Sequence, residues 1–254
     1  MESSNELVQT EQDGDVTLLR INRPSARNAL NAETADAIVA AITGAQTSGA
    51  IVLTGADPAF CAGLDLRELG VENLSEFPRS TETAARSGVP IIAAVNGPAV
   101  TGGFELALAC DFMIASTRAR FADTHVRLGV YPGPSMVELP RRVGMAWARE
   151  MVLTGNFIES ETALRIGLVN HVVAHDDLSP FALDLAHAIA EQDTAMVHAM
   201  REDWDATGEL PVQQAHLEHR ARAQDGPWAG RSGADIAAKR TTVIARAKSQ
   251  NPPR

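Results

Sequence analysis

Cysteine, positive charge and long apolar runs are all scarce in this sequence. Cys61 and Cys110 are its only cysteines in 254 residues, and each lies inside an apolar stretch. That usage suits reduced thiols buried in a core. A disulfide or a catalytic thiol is the competing reading. Lys and Arg number 22 against 32 Asp and Glu, a formal net charge of −10. So acidic a chain gains nothing electrostatically from DNA, RNA or an anionic membrane, and none of these is an expected partner. A polyanionic ligand would need a local basic pocket. No run approaches the eighteen or more apolar residues of a membrane span. The polar, acidic stretch 1–15 has no basic segment followed by an apolar one, so no signal peptide is expected, and its acidity disfavours a transit peptide. A cytoplasmic protein is the expectation.

What is present is enough for a proper core. Hydrophobic residues make up 45% and charged residues 21% of the chain, a balance that folds rather than stays disordered. The length suits one α/β domain with an appendage. Residues 16–21 read as a strand ended by Asn22-Arg23-Pro24, and Asn31 with Glu33 opens a helix over 34–43. Wholly apolar strands, of the kind buried on both faces, are predicted at 50–54, 89–95 and 112–115. The second is expected to close at an Asn96-Gly97-Pro98 turn. A helix starts near Thr101, further helices cover 140–153 and 159–166, and a strand covers 168–173. From Pro180 onward the chain reads as helical and increasingly charged. Buried strands alternating with helices define an α/β fold with a helical layer at its end.

Two glycine turns carry the chemistry. One is Ala59-Phe60-Cys61-Ala62-Gly63-Leu64-Asp65-Leu66, after a strand; the other is Asn96-Gly97-Pro98-Ala99-Val100-Thr101-Gly102-Gly103-Phe104-Glu105, between a strand and a helix. Neither matches Gly-x-Gly-x-x-Gly, and no Lys-Ser/Thr follows the second, so nucleotide-binding and P-loop readings fail. A helix beginning without bulky side chains presents free N–H groups, which suit a developing negative oxygen. Two such donors make an oxyanion hole. The alternative is that Gly102-Gly103 only lets the helix pack closely on a strand. Glu105 stands alone in an otherwise apolar helix, where burial raises a carboxyl toward the pKa of a general base. A salt bridge to Arg118 or Arg120 is its structural alternative. His125 follows in Ala119-Arg120-Phe121-Ala122-Asp123-Thr124-His125, continuing to Tyr131-Pro132-Gly133. His171 and His175 lie on or beyond a strand, and His216 and His219 in a charged helix, so no metal site is expected.

Segments 59–66, 90–110, 119–133 and 153–173, in this order and spacing, resemble the signature segments of the enoyl-CoA hydratase/isomerase (crotonase) superfamily. Asn22-Arg23-Pro24 with Arg27-Asn28-Ala29-Leu30 is similar to its N-terminal motif, and the similarity runs from about 18 to 173. The resemblance implies a spiral of ββα units over residues 1–195 and a C-terminal helical oligomerisation region over 196–254, giving a homotrimer or a dimer of trimers. It implies an acyl-CoA thioester substrate, with coenzyme A as part of the substrate and no separate cofactor. The oxyanion hole falls on the N–H groups of Leu64 and Gly102. Substrate contacts fall on Cys61, Ala62, Asp65, Leu66 and Arg67, with Arg23 and Arg27 as candidate phosphate contacts. Family hydratases pair two glutamates twenty residues apart; Glu105 matches the first, and the second position holds His125. Enoyl-CoA hydration through a stabilised enolate is the leading expectation. Isomerisation, thioester hydrolysis, decarboxylation, or acyl-CoA binding with weakened catalysis remain the alternatives. Gly133, where dienoyl isomerases and dehalogenases of the family place an aspartate, counts against those two.

Overall fold

A computed structural model of the chain describes residues 6–65, 67, 79–226, 228 and 232–250. The chain divides into two compact units, 1–192 and 193–254.

In the first unit, β1 (Val8–Asp13) turns at Gly14 and runs antiparallel to β2 (Val16–Ile21). Then come α1 (Ala32–Gly44), β3 (Ala50–Gly55), α2 (Arg79–Ala85), β4 (Ile91–Val95) and β5 (Pro98–Val100). They are followed by α3 (Gly102–Leu108), β6 (Phe112–Ser116), β7 (Arg120–Ala122), α4 (His125–Leu128) and α5 (Ser135–Thr154). The unit closes with β8 (Ile158–Glu159), α6 (Ser160–Arg165), β9 (His171–Val173) and α7 (Leu178–Ala190). One sheet has the order β1-β2-β3-β4-β6-β9, parallel from β2 onward; a second has the order β5-β7-β8. The chain lays β4 in the first sheet, β5 in the second and α3 behind them, then repeats the step with β6, β7 and α4. This is the spiral of ββα units.

Strand periodicity explains the core. Side chains alternate between faces. Leu19, Ile21, Ile51, Leu53, Ile91 and Val95 therefore pack on one side with Ile38 and Ile42 of α1 and Phe104 of α3. Val16, Leu18, Val52, Ile92 and Ile114 point the other way onto Leu178, Ala182 and Ala186 of α7. All six residues of β3 are buried, as its unbroken apolar run predicts.

The structure differs from the sequence reading in four places. The polar, acidic stretch 1–15, to which no element was assigned, carries β1; only Val8 in it is buried, so its pairing leaves no alternation to detect. The strand expected over 89–95 starts at Ile91, and Pro98 opens a new strand rather than ending a turn. There the chain changes sheets: Asn96 Oδ1 accepts from Gly55 N at 3.3 Å, and a Cβ on Gly97 would overlap Pro58 O. The helix expected over 140–153 starts at Ser135 and is interrupted at Gly144, with φ 77°. Of the strand expected over 168–173 only His171–Val173 pairs, against β6.

The second unit consists, among its described residues, of α8 (Thr194–Thr207), α9 (Val212–Asp225) and α10 (Gly233–Gln250). Asp193 caps α8 by accepting from Met196 N at 3.2 Å.

Candidate active site

Residue 64 sits where two rungs leave its amide over. Leu30 N donates to Gly63 O at 2.7 Å, and Asp65 N donates to Leu30 O at 2.8 Å. Alternation then turns the N–H of Leu64 away from that pairing. Gly63 has φ +90°, and a Cβ on it would lie 2.8 Å from Val100 O. No other residue fits this bend without moving the second turn.

The second turn is held from β7. Thr101 N donates to Ala122 O at 2.8 Å, and Thr101 Oγ1 lies 2.7 Å from Thr124 Oγ1. These bonds keep Thr101 at φ 52°, ψ −116°, a conformation costly for a β-branched residue. α3 then begins at Gly102, whose N–H is a first-turn amide with no intrahelical acceptor. Among the described residues, neither Leu64 N–H nor Gly102 N–H has an acceptor. The Cβ position of Gly63 lies 3.5 Å from Gly102 N, so the two turns touch.

The two readings of the paired glycines divide between them. A Cβ on Gly103 would overlap Cys61 O, so Gly103 serves close packing of α3 on the first turn. A Cβ on Gly102 would meet only Leu64 and Leu30 side chains at 3.7–3.8 Å, ordinary contacts. Gly102 instead lines a cavity of about 140 Å³ together with Leu30, Leu64, Glu105, His125 and Gly133. A neighbouring cavity of about 360 Å³ shares Leu64 and His125 and extends past Ala62 and Arg127.

Glu105 is buried and makes no salt bridge to Arg118 or Arg120. Its Oε1 accepts from Gly133 N at 2.9 Å and Ser135 N at 3.3 Å. Arg120 pairs with Glu159 at 2.8 Å instead. Burial pushes the Glu105 pKa above the ordinary carboxylate value; the facing His125 and the Ser135 bonds offset only part of that.

His125 is buried against a carboxylate. Its Nδ1 lies 2.6 Å from Asp123 Oδ1, and its backbone N donates to the same oxygen at 3.2 Å. Asp123 Oδ2 accepts from Ser135 Oγ at 2.7 Å. Burial alone would lower the His125 pKa, but the bond to Asp123 and the charges of Asp123 and Glu105 outweigh it and raise it. Burial would raise the Asp123 carboxyl, and its bonds from His125 and Ser135 hold it low instead. Asp123 and Ser135 were missed by sequence reasoning. The Asp-x-His spacing was the available signal for the first; nothing in the sequence pointed to Ser135.

The remaining candidates separate. Cys61 is buried, with its N–H on Pro98 O and its C=O on Val100 N, and burial pushes its thiol up to about 12, an unreactive group. Ala62 N donates to Arg27 O at 3.0 Å, so Arg27, whose side chain is exposed, adjoins the first turn. Asp65 is turned inward, paired with Arg23 at 2.8 Å and with the exposed Arg67 at 3.3 Å. Arg23 also donates to Ala29 O at 3.1 Å, which braces the turn. Leu66 lies outside the described residues. His171 packs edge-on against Phe181, while His175 Nε2 meets Asp57 Oδ2 at 3.0 Å.

Known proteins share this architecture. The solved enoyl-CoA hydratase of Bacillus anthracis has a TM-score of 0.83 at 27% identity, covering 98% of both chains. That of Mycobacterium tuberculosis has a TM-score of 0.74 at 42% identity, covering 86% of this chain and 98% of its own. The fold is thus that of the crotonase superfamily. A probable enoyl-CoA hydratase of Rhizobium meliloti is 43% identical over 196 residues, 74% of this chain and 76% of its own length. A short-chain-enoyl-CoA hydratase of Clostridium acetobutylicum is 39% identical over 201 residues, with the same coverage. The family model described as enoyl-CoA hydratase/isomerase matches residues 11–232. The chain belongs to the enoyl-CoA hydratase/isomerase family.

Proposed function

We propose that the protein is an enoyl-CoA hydratase, a hydro-lyase that adds water to trans-2-enoyl-CoA thioesters to give 3-hydroxyacyl-CoA. The observation that carries this is the pair of unpartnered amides, Leu64 N–H and Gly102 N–H, beside a cavity lined by Glu105 and His125. The hydratase relatives support the same reading.

The thioester oxygen accepts from both amides and gathers negative charge as water adds to Cβ. Fixed donors in a water-poor site favour that enolate most, each being worth about 3–4 kcal/mol. Glu105 takes a proton from the water whose oxygen bonds to Cβ. Its raised pKa makes it a stronger base than an exposed carboxylate. His125 delivers a proton from Nε2 to Cα, standing where family hydratases carry a second carboxylate. The proton left on Glu105 returns to His125 through water.

Arg27 is exposed at the edge of the first turn and meets a CoA phosphate, with the backbone of Cys61 and Ala62 near the adenine and Leu64 and the exposed Arg67 along the pantetheine. No cofactor or metal beyond the CoA of the substrate is needed. Residues 1–195 carry the site and 196–254 the assembly contacts of a homotrimer or hexamer. Exposed Met200, Trp204, Leu217, Ile236 and Val243 support this assembly. No helix among the described residues is long and apolar enough to cross a membrane. The cytoplasm is the compartment we propose for this activity.

Loss of the enoyl-thioester absorbance is the test, with substrates from crotonyl- to dodecenoyl-CoA. Unchanged absorbance across that range sinks the proposal. The His125–Asp123 bond supports one second reading, water activation toward the thioester carbon. Release of free CoA thiol, trapped by a disulfide reagent, would identify that hydrolase.

A further inference from the structure

Asp123 is a fully buried carboxylate on the connection from β7 to α4, and it lines neither cavity. Leaving such a group charged costs several kcal/mol unless its oxygens are satisfied. Here both are. Oδ1 takes the His125 ring nitrogen and the His125 amide; Oδ2 takes the Ser135 hydroxyl. A turn-forming role needs only the amide contact, and an asparagine would supply it. The 2.6 Å ring contact and the buried serine on the far oxygen are more than a turn requires.

We propose that Asp123 is the positioning residue for His125: its carboxylate accepts a hydrogen bond from Nδ1–H, which keeps that proton on the ring and turns Nε2 toward the cavity, and Ser135 locks that carboxylate in place. This rests on the reading of His125 as the proton donor to Cα. The tautomer follows from the bond, because a carboxylate is only an acceptor and neutral imidazole carries one proton. Ser135 ties the arrangement to the other half of the site, since its own N–H holds Glu105 Oε1. One residue at the start of α5 thus sets the spacing between base and acid.

Among the described residues, the titratable and charged groups around His125 are Asp123 on its own turn, Glu105 from α3, and Tyr131 and Arg127 on the cavity walls. Asp123 and Glu105 both favour the imidazolium, and Asp123 contributes most to this. Removing the Asp123 charge therefore makes His125 lose its proton at lower pH.

The test uses the full-length enzyme and three variants, Asp123→Asn, Ser135→Ala and His125→Gln. The expected result for Asp123→Asn is a fall in kcat of about 10²-fold, with KM nearly constant. The alkaline limb of its pH profile should move down toward 6.5, the ordinary histidine value. Ser135→Ala, which keeps its amide, should shift both in the same direction by less. Nitrogen-15 spectra of the unmodified enzyme above the histidine pKa should show His125 protonated at Nδ1 and bare at Nε2. That measurement decides the matter even where a variant does not fold. A proton on Nε2 there, or a rate loss in Asp123→Asn with the alkaline limb unmoved, overturns the proposal. Wild-type kcat in His125→Gln would instead overturn the acid role of His125. Lost rate in His125→Gln beside wild-type rate in Asp123→Asn removes Asp123 alone.

Discussion

The two walls of the cavity are built on different principles. One presents main-chain amides, aimed by the positive φ of Gly63 and the unusual φ, ψ of Thr101. The other presents side chains, Glu105 and His125, aimed by Gly133, Ser135 and Asp123. On the first wall function depends on backbone shape and is insensitive to pH. On the second it depends on protonation, and burial sets the pKa. Backbone strain and buried charge are thus two separate costs, concentrated around one small space.

The largest effect is expected where backbone is forced. Gly63→Ala adds a Cβ 2.8 Å from Val100 O at a left-handed φ, displacing the Leu64 amide. A kcat loss of about 10²–10³-fold with destabilisation of about 1–3 kcal/mol should appear in steady-state kinetics and thermal melts, with limbs of the pH profile unmoved. Glu105→Gln tests the side-chain groups. It should cost about 10²–10⁴-fold in kcat without loss of melting temperature, because the amide oxygen still accepts from Gly133 N and Ser135 N. A melting-temperature loss comparable to that of Gly63→Ala would erase the distinction between the walls.

Wild-type kcat/KM should follow a bell. Its acid limb lies above 4.5, where Glu105 with its raised pKa takes up a proton, and its alkaline limb lies above 6.5, where His125 loses one. The stability signs follow the same shifts. Asp123, held low, contributes stability above 3.8 that is lost as pH falls through its folded value. His125 and Glu105, both held high, contribute stability below 6.5 and 4.5 that is lost as pH rises through their folded values. Denaturant midpoints against pH check this: Asp123→Asn should flatten the acid loss. The smallest changes are expected from Arg27→Ala, a KM rise of about 2- to 5-fold, and from Gly102→Ala. The latter keeps its N–H and finds only ordinary contacts, so kcat should stay within about 3-fold. A collapse of activity there would mean that the missing side chain, not the amide, is what matters at position 102.

Legibility in the sequence followed locality. The unbroken apolar run of β3 and the glycines beside Glu105 could be read because each signal lies within a few consecutive residues. β1 could not be, since five of its six residues are outside the core and its hydrogen bonds depend on β2. The motif places Asp65 in the first turn, and its carboxylate is committed to Arg23 and Arg67. Its place in the turn was legible; the direction of its carboxylate was not.

Sequence alone determined the alternation of buried strands and helices, the place of the two glycine turns, and the family. Those features follow from side-chain period, steric freedom and residue order, which act along the chain. Only the tertiary structure decided that Gly63 and Gly102 touch, that Glu105 is held by amides 28 and 30 residues away, and that Asp123 faces both His125 and Ser135. Orientation and pKa are properties of a surrounding shell, and that shell is gathered from separate turns of the spiral.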